Sequence, residues 1–137
     1  MSTLQCDILK IERELFSGEV DHVVLPAESG EMGVYKGHEP MIVVLKPGIV
    51  RVVETPNAEP VRILINDGYA HIGKHGVSVI CQRAEAVERI DALDKQSIRV
   101  NIDDYKEQLA DLAEDDPSAE YLRDEIEWFN ILLEFTD

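Results

Sequence analysis

The hydrophobic pattern of this chain changes period once, near Glu85, and that change limits what it can fold into. Before it, apolar residues come in short runs set about 8–12 residues apart, with glycine, proline, asparagine and aspartate between them. After it, Ile98, Ile102, Tyr105, Leu109 and Leu112 recur at spacings of four, three, four and three. The first pattern belongs to strands, the second to one face of an amphipathic helix. The expected fold is β followed by α. An N-terminal antiparallel β-sandwich covers residues 1–87, and a C-terminal two-helix antiparallel hairpin covers residues 88–137.

Strands are expected at Leu4–Leu9, Val20–Leu25, Met32–Tyr35, Met41–Leu45, Ile49–Glu54, Val61–Ile65, Tyr69–Ile72 and Val77–Cys81. Met41–Leu45 is apolar throughout and reads as buried on both faces. Lys10–Glu14 reads as a charged connection. Ser17-Gly18 and Pro47-Gly48 read as turns, and Asn66-Asp67-Gly68 as a turn or bulge. Gly73–Gly76 reads as a hairpin turn. Asp91 or Asp94 is placed to cap the first helix, and Asp116 the second, with Pro117 at its first position. On the second helix Leu122, Ile126, Phe129 and Leu133 share one line, which a hairpin uses to pair with the preceding helix. Tyr121, Trp128, Leu132 and Phe135 lie beside that line. They either pack on the flank of the sandwich or form a docking face for another protein.

Charge narrows the function classes. The chain carries −15, and the excess is uneven. Residues 1–87 hold 8 bases and 12 acids, a net of −4; residues 88–137 hold 5 bases and 16 acids, a net of −11. Nucleic-acid binding and adhesion to anionic lipid both need a basic footprint, so neither is expected. No apolar run is long enough to insert into a membrane, and Met1–Cys6 does not read as a secretory signal. Cys6 and Cys81 lack redox or zinc spacing and read as buried thiols in a reducing compartment.

The stretch from Pro26 to Met41 carries Gly30, Gly33 and Gly37, and reads as a compact, shaped loop between strands. It presents Glu28, Glu31, Lys36, His38 and Glu39 at one end of a sheet. Its pattern is Gly30-Glu31, Gly33, Gly37-His38 and Pro40, followed by Leu45-Lys46-Pro47-Gly48. Phe16-Ser-Gly-Glu-Val20 lies upstream. Asp67-Gly68-Tyr69-Ala70, Val77–Ile80, Ala84-Glu85 and Ile90-Asp91 lie downstream. Together these resemble the ε subunit of F-type ATP synthases over roughly the first two thirds of the chain. Lys36 stands where that family usually has proline.

The resemblance implies a non-catalytic rotor subunit at the foot of the central stalk. Its sandwich would hold the γ subunit and the polar loops of the membrane c-ring. Glu31, Met32, Gly33, Tyr35, Lys36, Gly37, His38 and Glu39 would form the partner-binding loop. The hairpin would be regulatory, reaching toward the α/β catalytic head. The location implied is peripheral, on the cytoplasmic face of a bacterial plasma membrane. Some relatives carry an ATP-binding motif where this chain has Ile90-Asp91, but Asp94 and Lys95 depart from it. An aspartate facing phosphate is repulsive, so ATP binding is expected to be weak or absent, and no cofactor is expected.

Catalysis finds little support in the residues. His71 and His75 are separated by a glycine turn, which argues against a metal site. His38 with Glu31 and Glu39 could imitate an acid–base group, but no nucleophile accompanies it. Two other classes remain open at this level: a stand-alone β-sandwich interaction module with a helical tail, and a small enzyme using His38.

Overall fold

The computed structural model describes residues 3–11 and 13–135, with Asp91 described by its backbone alone. The chain divides into two compact units, Met1–Val87 and Glu88–Asp137.

The first unit contains β1 (Leu4–Lys10), β2 (Arg13–Val20), β3 (His22–Ala27), β4 (Gly30–Tyr35), β5 (Met41–Leu45), β6 (Gly48–Val53), β7 (Val61–Ile72) and β8 (Gly76–Ala86). They form one continuous sheet in the order β2-β1-β8-β7-β5-β3-β4, with β6 between β3 and β7. Pairing is antiparallel except between β1 and β8, which run parallel in an otherwise antiparallel fold. The sheet folds over itself into two layers, and the long β7–β8 hairpin belongs to both. Residues 68–72 of β7 pair with β5, and residues 61–65 pair with β6.

The crossing line is sharp. The β7–β8 ladder keeps one register throughout but skips Asp67 opposite Gln82. Asp67 sits there at φ 48, a left-handed conformation that aspartate tolerates better than most side chains. β5 and β6 also follow a single register along β7, interrupted only at Lys46-Pro47. Asn66–Gly68, expected as a turn or bulge, does not reverse the chain but interrupts the ladder at Asp67, and the expected turn at Pro47-Gly48 does not reverse it either. Both are bends on the line where one layer becomes the other. The expected turn at Ser17-Gly18 is likewise absent, because both residues pair within β2 opposite Asp7 and Cys6. The irregularity lies further on, at a one-residue shift between Ile8 and Leu9 that leaves Leu15 unmatched. Glu12, within the expected charged connection, lies outside the described residues.

Alternation along the strands fills the space between the layers. Cys6, Ile8, Val20, Val23, Leu25, Val34, Val50, Val52, Ile65, Ile72 and Val79 are fully buried in one core cluster. A core of β-branched residues packed this closely resists bending.

In the second unit α2 (Lys95–Ala110) and α3 (Pro117–Glu134) pack on one another, following a short α1 (Val87–Asp91) that starts at the boundary. Asp94 caps α2 by accepting from Gln96 N at 3.0 Å, so of the two candidate caps it is Asp94 that serves. Asp91 lies inside α1. Asp116 caps α3 in the same way, accepting from Ser118 N at 2.9 Å, with Pro117 at the first helical position. Tyr105 of α2 stacks on Phe129 of α3 with ring centroids 5.7 Å apart.

Candidate functional site

Most of the glycine-rich stretch is strand. β3 and β4 pair residue for residue from His22 opposite Tyr35 to Ala27 opposite Gly30, joined by a tight turn at Glu28-Ser29. The expected loop is therefore a hairpin, and its second strand ends the sheet order. Alternation splits the expected binding residues between two faces. Val34 is fully buried and Met32 packs against the core, so Met32 is turned away from the outer surface. Glu31, Gly33 and Tyr35 face outward. Arg51 of β6 reaches across β3 to Glu31 with N–O distances of 2.9 and 3.3 Å. Both ends of that pair are exposed, so it contributes at most about 1 kcal/mol.

Beyond Tyr35 the chain turns sharply at a tip. His38 N donates to Tyr35 O at 3.1 Å, and Gly37 lies between them at φ 83. Among the described residues Lys36 has no positive φ, which makes this a type II turn with glycine where that turn requires it. Gly37 N also donates to Lys74 O at 3.1 Å, tying the tip to the β7–β8 turn. Lys36 and Glu39 are exposed. His38 Nδ1 lies 2.8 Å from Glu39 O.

This geometry does not assemble an acid–base site. Glu31 is engaged with Arg51, and His38 is bonded to its neighbour's carbonyl. Ser29 and His38 flank opposite ends of the six-residue β4, about 20 Å apart by strand rise. Among the described residues no group of His, Cys, Asp or Glu is arranged to hold a metal. Burial pushes the Cys6 thiol up to about 12, helped by Asp7, and the Cys81 thiol up to about 11 against the opposing pull of Lys10.

A second surface was not anticipated. Met41–Leu45 is buried on one face only: Val43 and Leu45 point inward, while Ile42 is 69% and Val44 57% exposed. The register carries Val44 to Tyr69, Tyr69 to Ile80 and Ile80 to Leu9, an apolar row across four adjacent strands. Ile11 lies at its end, where a concavity of about 240 Å³ is lined by Ile11, Gly68, Tyr69 and Ile80. Five consecutive apolar residues signalled two-sided burial, and only the absence of a covering layer in this unit reveals the exposure.

On α3, Tyr121 is 57% exposed and Phe135 is half-buried, whereas Trp128 and Leu132 are buried. The four residues expected to form one docking face thus differ in access. Ile90 is fully buried, and the side chain of Asp91 lies outside the described residues. Among the described residues no helix is long and apolar enough to cross a membrane.

The β-sandwich fold has counterparts among known proteins. A family model for the β-sandwich domain of the ATP synthase delta/epsilon chain matches residues 3–87, the whole of the two-layer unit. The chain belongs to the ATP synthase epsilon-chain family. An ATP synthase epsilon chain 2 of Burkholderia orbicola is 32% identical over 109 residues, covering 80% of this chain and 72% of that one. An ATP synthase epsilon chain of Janthinobacterium is 39% identical over 82 residues, covering 60% of this chain and 59% of that relative. Among solved structures, a chain of the mitochondrial ATP synthase of Euglena gracilis, in its OSCP/F1/c-ring assembly, superposes with a TM-score of 0.63 at 20% identity. It covers 98% of this chain and 77% of the other, a likeness of fold.

Proposed function

We propose that this member of the epsilon-chain family is a non-catalytic rotor subunit of a proton-translocating F-type ATP synthase, coupling rotation of the c-ring to the γ subunit. The observation that carries the reading is the apolar row Val44–Tyr69–Ile80–Leu9, with Ile42 beside it, on the outside of a stiff two-layer sandwich. An apolar band whose Ile42, Val44 and Tyr69 are exposed, with Ile80 and Leu9 half-buried, on a chain of net −15 fits a protein interface, and we assign it to γ. The tip and edge strand, through Glu31, Gly33, Tyr35 and Lys36–Glu39, take the polar loops of the c-ring. A rigid body between two turning partners transmits torque with little internal bending. The subunit works peripherally on the cytoplasmic face of a bacterial plasma membrane.

The acidic hairpin brakes ATP hydrolysis weakly. Residues 88–137 carry −11, and Arg123 is the one base on α3. Like charge opposes insertion of such a hairpin into an acidic surface of the catalytic α/β head, and with Trp128 and Leu132 buried it leaves the exposed Tyr121 and half-buried Phe135 as its apolar means of contact. Ile90 and Asp91 have no nucleotide role in this reading.

The test is capture of γ by the full chain and by Ile42→Asp and Val44→Asp, both at exposed positions. Each substitution should weaken binding at least about tenfold, as hot-spot losses do. Failure of the parent chain to bind γ would favour a stand-alone interaction module. Deleting residues 88–137 from the assembled enzyme should raise ATP hydrolysis less than about threefold, which is under 1 kcal/mol of coupling. A large rise would show a strong brake and refute the charge argument.

A further inference from the structure

The tip has an unusual need for support. At the second position of a type II turn proline is favoured because its ring fixes φ. Here that position is Lys36, which leaves the turn more freedom when unbound. Something else must hold it if it is to present a fixed surface.

The neighbouring residues supply a chain of attachments. Asp21 N donates to Val53 O at 2.8 Å, fixing the start of β3 against β6. Asp21 Oδ2 lies 2.7 Å from His22 Nδ1, with both side chains about four-fifths buried. That bond sets the plane of the imidazole. The His22 ring in turn stacks on Tyr35, with centroids 4.7 Å apart and planes 18° apart. Tyr35 is the first residue of the turn and accepts the bond from His38 N that closes it. Without the imidazole one face of this 56%-exposed ring would be uncovered. Strand pairing explains why the two rings meet, since His22 and Tyr35 are direct register partners.

We infer that His22, oriented by Asp21, is a positioning residue that locks the Tyr35–His38 turn by stacking on Tyr35, in place of the rigidity that proline at position 36 would provide. The stack and the bond from Gly37 N to Lys74 O hold the turn from two sides. The inference rests on the reading of the tip as a binding element, and it adds which residues fix its shape.

Amide hydrogen exchange in the full chain tests it without any partner. In H22A the Gly37 and His38 amides should exchange about three- to tenfold faster, the loss expected of one stacked pair, while amides within β3 stay unchanged. H22F keeps a ring over Tyr35 and should restore exchange to within about twofold of the parent. The H22A/K36P double variant should recover protection as well, because the turn is then held by proline. Unchanged exchange in H22A, or failure of both H22F and K36P to restore it, would overturn the inference. Binding to detergent-purified c-ring separates the two readings. Loosened amides with weakened binding support both. Loosened amides with unchanged binding support the lock and overturn the tip's role in gripping the ring.

Discussion

Replacing Gly68 by alanine probes the line where one sandwich layer becomes the other. Gly68 follows the left-handed Asp67 and sits opposite Cys81 at a close approach of β7 and β8. A Cβ built there would lie 2.4 Å from Ile80 O and 3.0 Å from both Cys81 Cα and Cβ. Ordinary contact begins near 3.4 Å, so the two strands would have to separate by up to about 1 Å. The obstacle is backbone, which cannot swing aside as a side chain would. Overpacking of this kind costs about 1–3 kcal/mol, and a clash with a central ladder belongs at the upper end. Alanine also restricts the unfolded chain, returning roughly 0.4–1 kcal/mol. The net loss is then about 2–2.6 kcal/mol, or roughly 8–20 °C in the midpoint of the β-unit. Thermal unfolding followed by the β-sheet band of circular dichroism reads it. Gly73→Ala is the control, because its Cβ would meet nothing closer than 3.8 Å and should shift the midpoint by less than about 2 °C. A Gly68→Ala midpoint as close to the parent as this control would refute the account of the crossing line.

Three further outcomes follow from the geometry. Lys36→Pro should stabilise the sandwich by about 0.4–1 kcal/mol in urea titration, since Tyr35 before it is extended and tolerates a following proline; a loss would mean the turn is not type II. Asp116→Ala should cost the helical hairpin about 1 kcal/mol and speed exchange of the Ser118 amide, whereas Asp116→Asn should be nearly neutral because asparagine caps equally well. Cys6 and Cys81 should alkylate at pH 8 at least about 100-fold more slowly in the native chain than in urea, because the folded thiols are held at about 12 and about 11. The unfolded thiols ionise above about 9 while the folded ones stay neutral, so alkaline stability should fall as pH rises from 9 toward 12.

How much could be read from residues alone depends on how local the deciding interaction is. Asp116 before Pro117 announces a helix start because the cap bond spans two residues. The period change near Glu85 separates strands from helices for the same reason. Gly37 marks its turn because its φ of 83 is a property of one residue. By contrast, Asn66-Asp67-Gly68 carries the composition of a turn, yet pairing on both sides keeps the strand running through it. Ser17-Gly18 fails as a turn for a similar reason, being held opposite β1.

By itself the sequence determined the division into strands followed by helices, the Asp116 cap, the turn at Gly37 and the family to which the chain belongs, but neither β2 nor the continuity of β7. Tertiary structure alone decided the parallel pairing of β1 with β8, the turning inward of Met32, and the apolar row from Val44 to Leu9. It also decided that His22 lies over Tyr35. Each of these joins residues far apart in the chain, and whether an apolar side chain is covered depends on which strand or layer lies across from it. No local pattern encodes that, because Val43 and Val44 are the same residue type and only the first has a second layer above it.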